Sequence, residues 1–176
     1  MKKLLSIALC AMLLVSLASA ASAELLGLGI HTYISGSDAG DNDGRGQVNS
    51  VVCTLILDDN KVIKAIQFDT AQTNVNFNKE GKLTTDLAAP VLSKLEKGEA
   101  YGMRKASPIQ KEWFEQMASL EAYCIGKTVE EVLAMPTYER DANHTKVPDL
   151  ADLKTTVTID VGGYLAALEK AANNAK

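Results

Sequence analysis

The sequence predicts an α+β domain, an antiparallel sheet built on a β-hairpin and packed by helices segregated from it. Two β-branched, apolar runs flank an Asp/Asn pair in the first half of the chain. Helical stripes with hydroxyl and glutamate start signals fall in the second half. The elements follow one another as hairpin, loop, helices, strand and helix, without the regular alternation that makes a parallel sheet. No internal repeat, low-complexity tract or second domain boundary interrupts them, so residues 24–176 read as one domain with one core.

The first 23 residues, "MKKLLSIALCAMLLVSLASAASA", carry Lys2 and Lys3, an apolar run from Leu4 to Leu17, and small residues ending in Ala21-Ser22-Ala23. This is the three-part pattern of a secretory signal peptide. The apolar run is shorter than the roughly 20 residues that a spanning helix needs. Residues 1–23 are therefore read as a cleaved leader, and the chain as secreted or held in the cell envelope with no membrane span left.

Within the domain, Ile30 to Ile34 reads as a short β piece, followed by a polar loop through Gly46. Gln47 to Asp58 and Lys61 to Asp69 then form two strands joined by Asp59-Asn60, the turn chemistry of a hairpin. Val62, Ile66 and Phe68 are expected on one face. The polar stretch from Thr70 to Pro90 reads as loop, with a turn at Glu80-Gly81. Ser107-Pro108-Ile109-Gln110 has a capping hydroxyl, a first-turn proline and a glutamine three residues on, and it predicts a helix start. Ile109, Trp113, Met117, Leu120 and Cys124 form its stripe, and Gly126 ends it. Thr128-Val129-Glu130-Glu131 repeats the capping logic for a short helix that stops near Met135-Pro136. The glutamates there favour the helix dipole and need no catalytic role. "TTVTIDV" predicts a last strand, and a helix from about Tyr164 turns Leu165, Leu168, Ala171 and Ala172 inward.

Composition removes several functions. Without Lys2 and Lys3 the chain has 16 basic against 22 acidic residues, a net charge of −6. With no basic cluster, nucleic acid is excluded as a partner. Cys53 and Cys124 are too far apart in sequence for a CxxC redox pair or a zinc knuckle. Both a single disulfide and two buried thiols on apolar faces remain open. "DAGDNDGRG" resembles a calcium loop, but Arg45 and Val52 stand where ligands at positions five and twelve should be. His31 and His144 lack metal-site spacing and read as surface or loop residues. No Gly-x-Ser-x-Gly, Walker or dinucleotide fingerprint is present.

Several segments in order carry a resemblance: "GRGQVNSVVCTLILDDNKVIKAIQF", "KGEAYGM", "KEWFEQMASLEAYCIGKT" with Trp113, Gln116, Gly126 and Lys127, and "TTVTIDVGGYLAALEKA". Together they resemble the FMN-binding domain family of bacterial extracytoplasmic flavin subunits in sodium-pumping NADH:quinone reductases and Rnf complexes. The resemblance implies a flavoprotein that passes electrons outside the membrane to an envelope redox partner. Flavinylated members esterify FMN to the threonine of a Ser-Gly-Ala-Thr motif. Aligned on Thr156, this chain has Leu153, Lys154 and Thr155 in place of Ser-Gly-Ala, and a lysine Cβ denies the close phosphate approach that glycine allows. The resemblance thus implies noncovalent FMN. The cofactor-binding candidates are Gly162 and Gly163 amides at the last helix start, with Thr156, Thr158 and Lys154 nearby for the phosphate. Tyr101 and Trp113 are the candidates for the ring, although Trp113 also belongs to the core stripe. The alternative is the same fold without flavin, used as a ligand-binding or sensing module of the envelope. A hydrolase with no visible motif is a third reading.

Overall fold

A computed structural model describes residues 24–176. The signal peptide read in residues 1–23 lies outside the described residues. The α+β architecture is as the sequence predicts. Three long antiparallel strands, β1 (Leu25–Ser37), β2 (Gly44–Leu57) and β3 (Ile63–Phe77), form a sheet in the order β1-β2-β3. The hairpin is well specified. Asp58 accepts the Asn60 and Val62 amides at 2.9 and 3.0 Å through Oδ1, and its other oxygen pairs with Lys64 at 2.9 Å.

Helices cover one face of the sheet. They are α1 (Lys94–Lys97), a 3₁₀ turn at Gly98–Tyr101, α2 (Trp113–Cys124), α3 (Val129–Leu133), α4 (Ala151–Lys154) and α5 (Gly162–Asn173). A two-stranded ribbon, β4 (Thr137–Tyr138) with β5 (Val147–Pro148), lies between α3 and α4. The core joins Val51, Cys53, Leu55, Leu57 and Phe68 of the sheet to Trp113, Met117, Leu120 and Cys124 of α2 and to Tyr164, Ala167, Leu168 and Ala171 of α5. Among the described residues, no helix is long and apolar enough to cross a membrane.

Close packing of α5 on β1 depends on two glycines. A Cβ at Gly27 would overlap the carbonyl oxygen of Ala171, and one at Gly29 the Ala167 carbonyl oxygen and the Ala171 amide nitrogen. Backbone thus meets backbone, with fully buried Ala167 and Ala171 on the helix side. Lys170 Nζ of the same helix and Asn174 Nδ2 at its C-cap donate to the Ile30 and Leu28 carbonyls at 2.9 and 3.1 Å, and they satisfy an edge that no strand covers among the described residues.

Several expectations are corrected. β1 has 13 residues where five were expected, and β3 runs on through the polar stretch to Phe77. Pairing with β2 from Thr70↔Val51 to Phe77↔Gly44 overrides the low apolar content. A register shift at Ile56/Leu57 buries Ile63 instead of Val62. Ser107 does not cap a helix: its hydroxyl accepts from Gln116 Nε2 at 3.1 Å, and Gln110 has a left-handed φ of 53°. The helix instead begins at Trp113 behind a Glu112/Glu115 capping box, so Ile109 lies outside it. Thr155 to Val161 is no strand. The segment follows α4, and side chains answer its backbone: Gln116 Oε1 accepts the Thr158 amide at 2.9 Å and Arg140 donates to the Thr158 carbonyl at 2.6 Å. The last helix starts at Gly162 and buries Tyr164 and Ala167, while Leu165 and Ala172 are half-buried.

Of the two readings for Cys53 and Cys124, the structure shows free thiols, each fully buried. Burial first, then mutual proximity and Glu121, pushes the Cys53 thiol up to about 12; burial likewise brings Cys124 to about 12. Thiols that stay protonated and covered do not react. At pH 8 neither should react with a disulfide reagent in the native protein, and both should react after denaturation; fast native labelling would contradict this packing. Gly29→Ala should cost about 1–3 kcal/mol by forcing α5 off β1, read as a lower denaturant midpoint.

Candidate functional site

The inner face of the sheet changes character along its length. On β2 the inward positions Leu57, Leu55, Cys53 and Val51 give way to Asn49 and Gln47; on β3 Phe68 gives way to Thr70, Gln72 and Asn74. The polar groups bond one another across the strands, Gln72 Nε2 to Asn49 Oδ1 at 3.0 Å and Gln47 Nε2 to Asn74 Oδ1 at 2.8 Å. A cleft of about 490 Å³ begins where the apolar face ends.

Its floor is a buried hydrogen-bonded trio. Trp113 Nε1 donates to Tyr164 Oη at 2.8 Å, and that oxygen lies 3.2 Å from Thr70 Oγ1, so α2, α5 and β3 meet at one atom. Phe68 packs edge-on against Tyr164, with ring centroids 5.6 Å apart. Burial is the main cause of the Tyr164 hydroxyl rising to about 12. Tyr33 and Tyr101, also on the cleft, are raised mainly by burial, so all three phenols keep their protons at neutral pH.

The rim comes from four places. β1 supplies His31 and Tyr33, and the β4–β5 ribbon supplies Asn143 and His144. His144 is fixed through Nδ1 on Asp141 Oδ1 at 2.7 Å; that bond and one from Arg140 hold the Asp141 carboxyl at about 2. α5 supplies Gly163, where a Cβ would stand 3.4 Å from Val51 Cγ2 and 3.7 Å from His31 Cδ2. Glycine there leaves the space to the cleft. α1 supplies Lys94, with Nζ 5.0 Å from the Tyr101 ring centroid and 5.6 Å from that of Trp113. Burial, with Lys97 adding to it and Asp69 opposing, lowers Lys94 to about 8.

The structure brings Tyr101, Trp113 and Gly163 together on this cleft. The Gly162 amide is already committed to Asp160 Oδ1 at 2.8 Å. Thr158 lies just before cleft-lining Ile159 and Asp160, but its hydroxyl is 3.3 Å from Gln116 Oε1. Thr156 turns its hydroxyl to the Asp152 and Leu153 carbonyls, and Lys154 pairs with Asp149 at 2.5 Å; neither lines the cleft. Sequence reading missed Lys94, Thr70, Gln72, His31 and His144. The alternation Phe68, Thr70, Gln72 was the available signal for two of them.

Comparison with known proteins adds little weight. No protein-family model matches the chain, and no solved structure matches it. Among curated proteins it is similar to a chlorophenol reductase of Desulfitobacterium hafniense, 34% identical over 85 residues. That stretch is 39% of this chain, and the chain spans 26% of the relative's length. It places the chain in no family.

Tyr164→Phe should leave Trp113 Nε1 without its acceptor and cost about 1–3 kcal/mol. Denaturant unfolding should show the loss, with Trp113 emission shifted in the native state; unchanged stability would mean that the trio does not hold the floor.

Proposed function

We propose that this chain is an exported FMN-binding-domain-like protein that holds FMN noncovalently in the cleft and takes part in extracytoplasmic electron transfer. The observation that carries the reading is the convergence of Tyr101, Trp113 and Gly163 on a cleft of about 490 Å³, within the roughly 300–1,000 Å³ usual for small-molecule sites. Four of the nine aromatic residues in the chain, Tyr33, Tyr101, Trp113 and Tyr164, line it.

The residues fit the group. Aromatic walls suit a flat heterocycle, Thr70, Gln72 and Asn143 offer donors and acceptors to its edges, and Gly163 leaves room that a Cβ would fill. FMN, when bound, supplies one- and two-electron redox chemistry. The chain binds and orients it, keeps its own phenols protonated, and limits access of water through the buried floor. Covalent attachment is not favoured, since the Thr156 hydroxyl lies off the cleft, on the carbonyls of α4. The stretch shared with a chlorophenol reductase adds a redox protein to the relatives of this chain. The secretory leader read in residues 1–23 supports a setting outside the membrane for this chemistry.

A flavin-free ligand-binding module of the envelope is the second reading, favoured by the missing Ser-Gly-Ala. Gel filtration of the protein with added FMN separates the two. Absorbance near about 450 nm should travel with the protein and pass to the supernatant on acid precipitation, as for a noncovalent flavin. Colour that stays in the pellet would mean a covalent link, and a colourless protein would remove the flavin reading and leave the second. Gly163→Leu should weaken FMN about tenfold or more by filling the cleft.

A further inference from the structure

We propose that the cleft selects a ligand carrying an anionic group, and that the ammonium of Lys94 is what reads that charge. The inference rests on the proposed ligand class only for its matched probes.

Lys94 is unusual among the lysines of this chain. Its Nζ lies over two aromatic rings at the cleft wall. Among the described residues it forms no ion pair, which it shares with most of the other lysines; its position over two rings sets it apart. The neighbouring carboxylate, Asp69, accepts the Thr70 amide at 2.7 Å and the Leu95 amide at 3.1 Å through Oδ1 and makes no ion pair with Lys94, although its charge favours the ammonium form. Ring faces hold a cation in place without neutralising it. An anion that reaches this ammonium replaces little water and forms a charge-assisted hydrogen bond in a low-dielectric wall.

The start of α5 is a poorer place for the same charge. Asp160 lines the cleft there, takes the Gly162 amide with Oδ1, and accepts the Lys146 amide at 2.9 Å and the Thr145 hydroxyl at 3.3 Å with Oδ2. A carboxylate bonded in the first turn already complements the helix dipole and repels a second anion. The lining thus carries charge of both signs, and the place that accepts an anion is the one beside Lys94.

FMN and riboflavin differ by the phosphate alone, and Trp113 is the one tryptophan in the chain, with its ring 5.6 Å from Lys94 Nζ. Its fluorescence therefore reports titration of the protein with each compound. FMN should bind at least about tenfold tighter than riboflavin, the scale of a charge-assisted bond. Lys94→Gln should bring the ratio close to one, with a larger loss for FMN than for riboflavin, and Lys94→Arg should keep the preference. Equal binding of both flavins by the native protein, a ratio that survives Lys94→Gln, or an equal loss for both flavins would overturn the inference while leaving the flavin reading in place. If neither flavin binds, that reading fails, and inorganic pyrophosphate becomes the probe. A Trp113 response lost in Lys94→Gln would then sustain anion selection, and no response would end it.

Discussion

The cleft depends on one oxygen atom. Tyr164 Oη accepts from Trp113 Nε1 and lies within hydrogen-bond distance of Thr70 Oγ1, so it fixes the first turn of α2, the first turn of α5 and the middle of β3 relative to one another. In a buried setting each of these polar groups would be costly unpaired, so the three elements have a strong reason to meet in this one arrangement. Two further site residues are placed from that point: Gly163 is the residue before Tyr164, and Lys94 stands over the Trp113 ring.

Two further features keep the floor in place. Helix α5 reaches β1 because Gly27 and Gly29 present bare backbone to Ala167 and Ala171, which sets its depth on the sheet. Gln116, fully buried in α2, joins two loops that have no strand partners. It donates to Ser107 Oγ and accepts from the Thr158 amide, and so draws both walls of irregular chain onto one helix. A side-chain amide can do for a lone extended segment what a neighbouring strand does for a paired one.

Much of this fold is legible in the sequence, and the exceptions have physical causes. The Asp58–Asn60 turn, the Thr128 cap and the Gly126 stop rest on short-range chemistry that is the same in any tertiary setting. The strand expected over Thr155–Val161 had the residues for pairing, but its backbone is answered by the Gln116 and Arg140 side chains and by one bond from the Val161 amide to the Lys146 carbonyl, and no ladder forms. The helix expected at Ser107 had its capping residues drawn off by Gln116 and by the left-handed Gln110. The polar half of β3 escaped because its inward residues are Thr70 and Gln72, a pattern that reads as loop when only apolar periodicity is counted. At the site, Tyr101, Trp113 and Gly163 could be singled out from aromatic and glycine chemistry. Lys94 and the two histidines could not, since only the fold brings residues 31, 94 and 144 to one cavity.

Amide chemical-shift mapping with FMN tests the central claim most directly, because it asks where a flavin goes and not only whether it binds. The account predicts saturable shifts concentrated at Thr70, Gln72, Tyr101, Asn143 and Gly163, with the Trp113 indole N–H moving alongside them. Shifts confined to residues away from this cleft, or none at flavin concentrations that saturate other flavin binders, would contradict it.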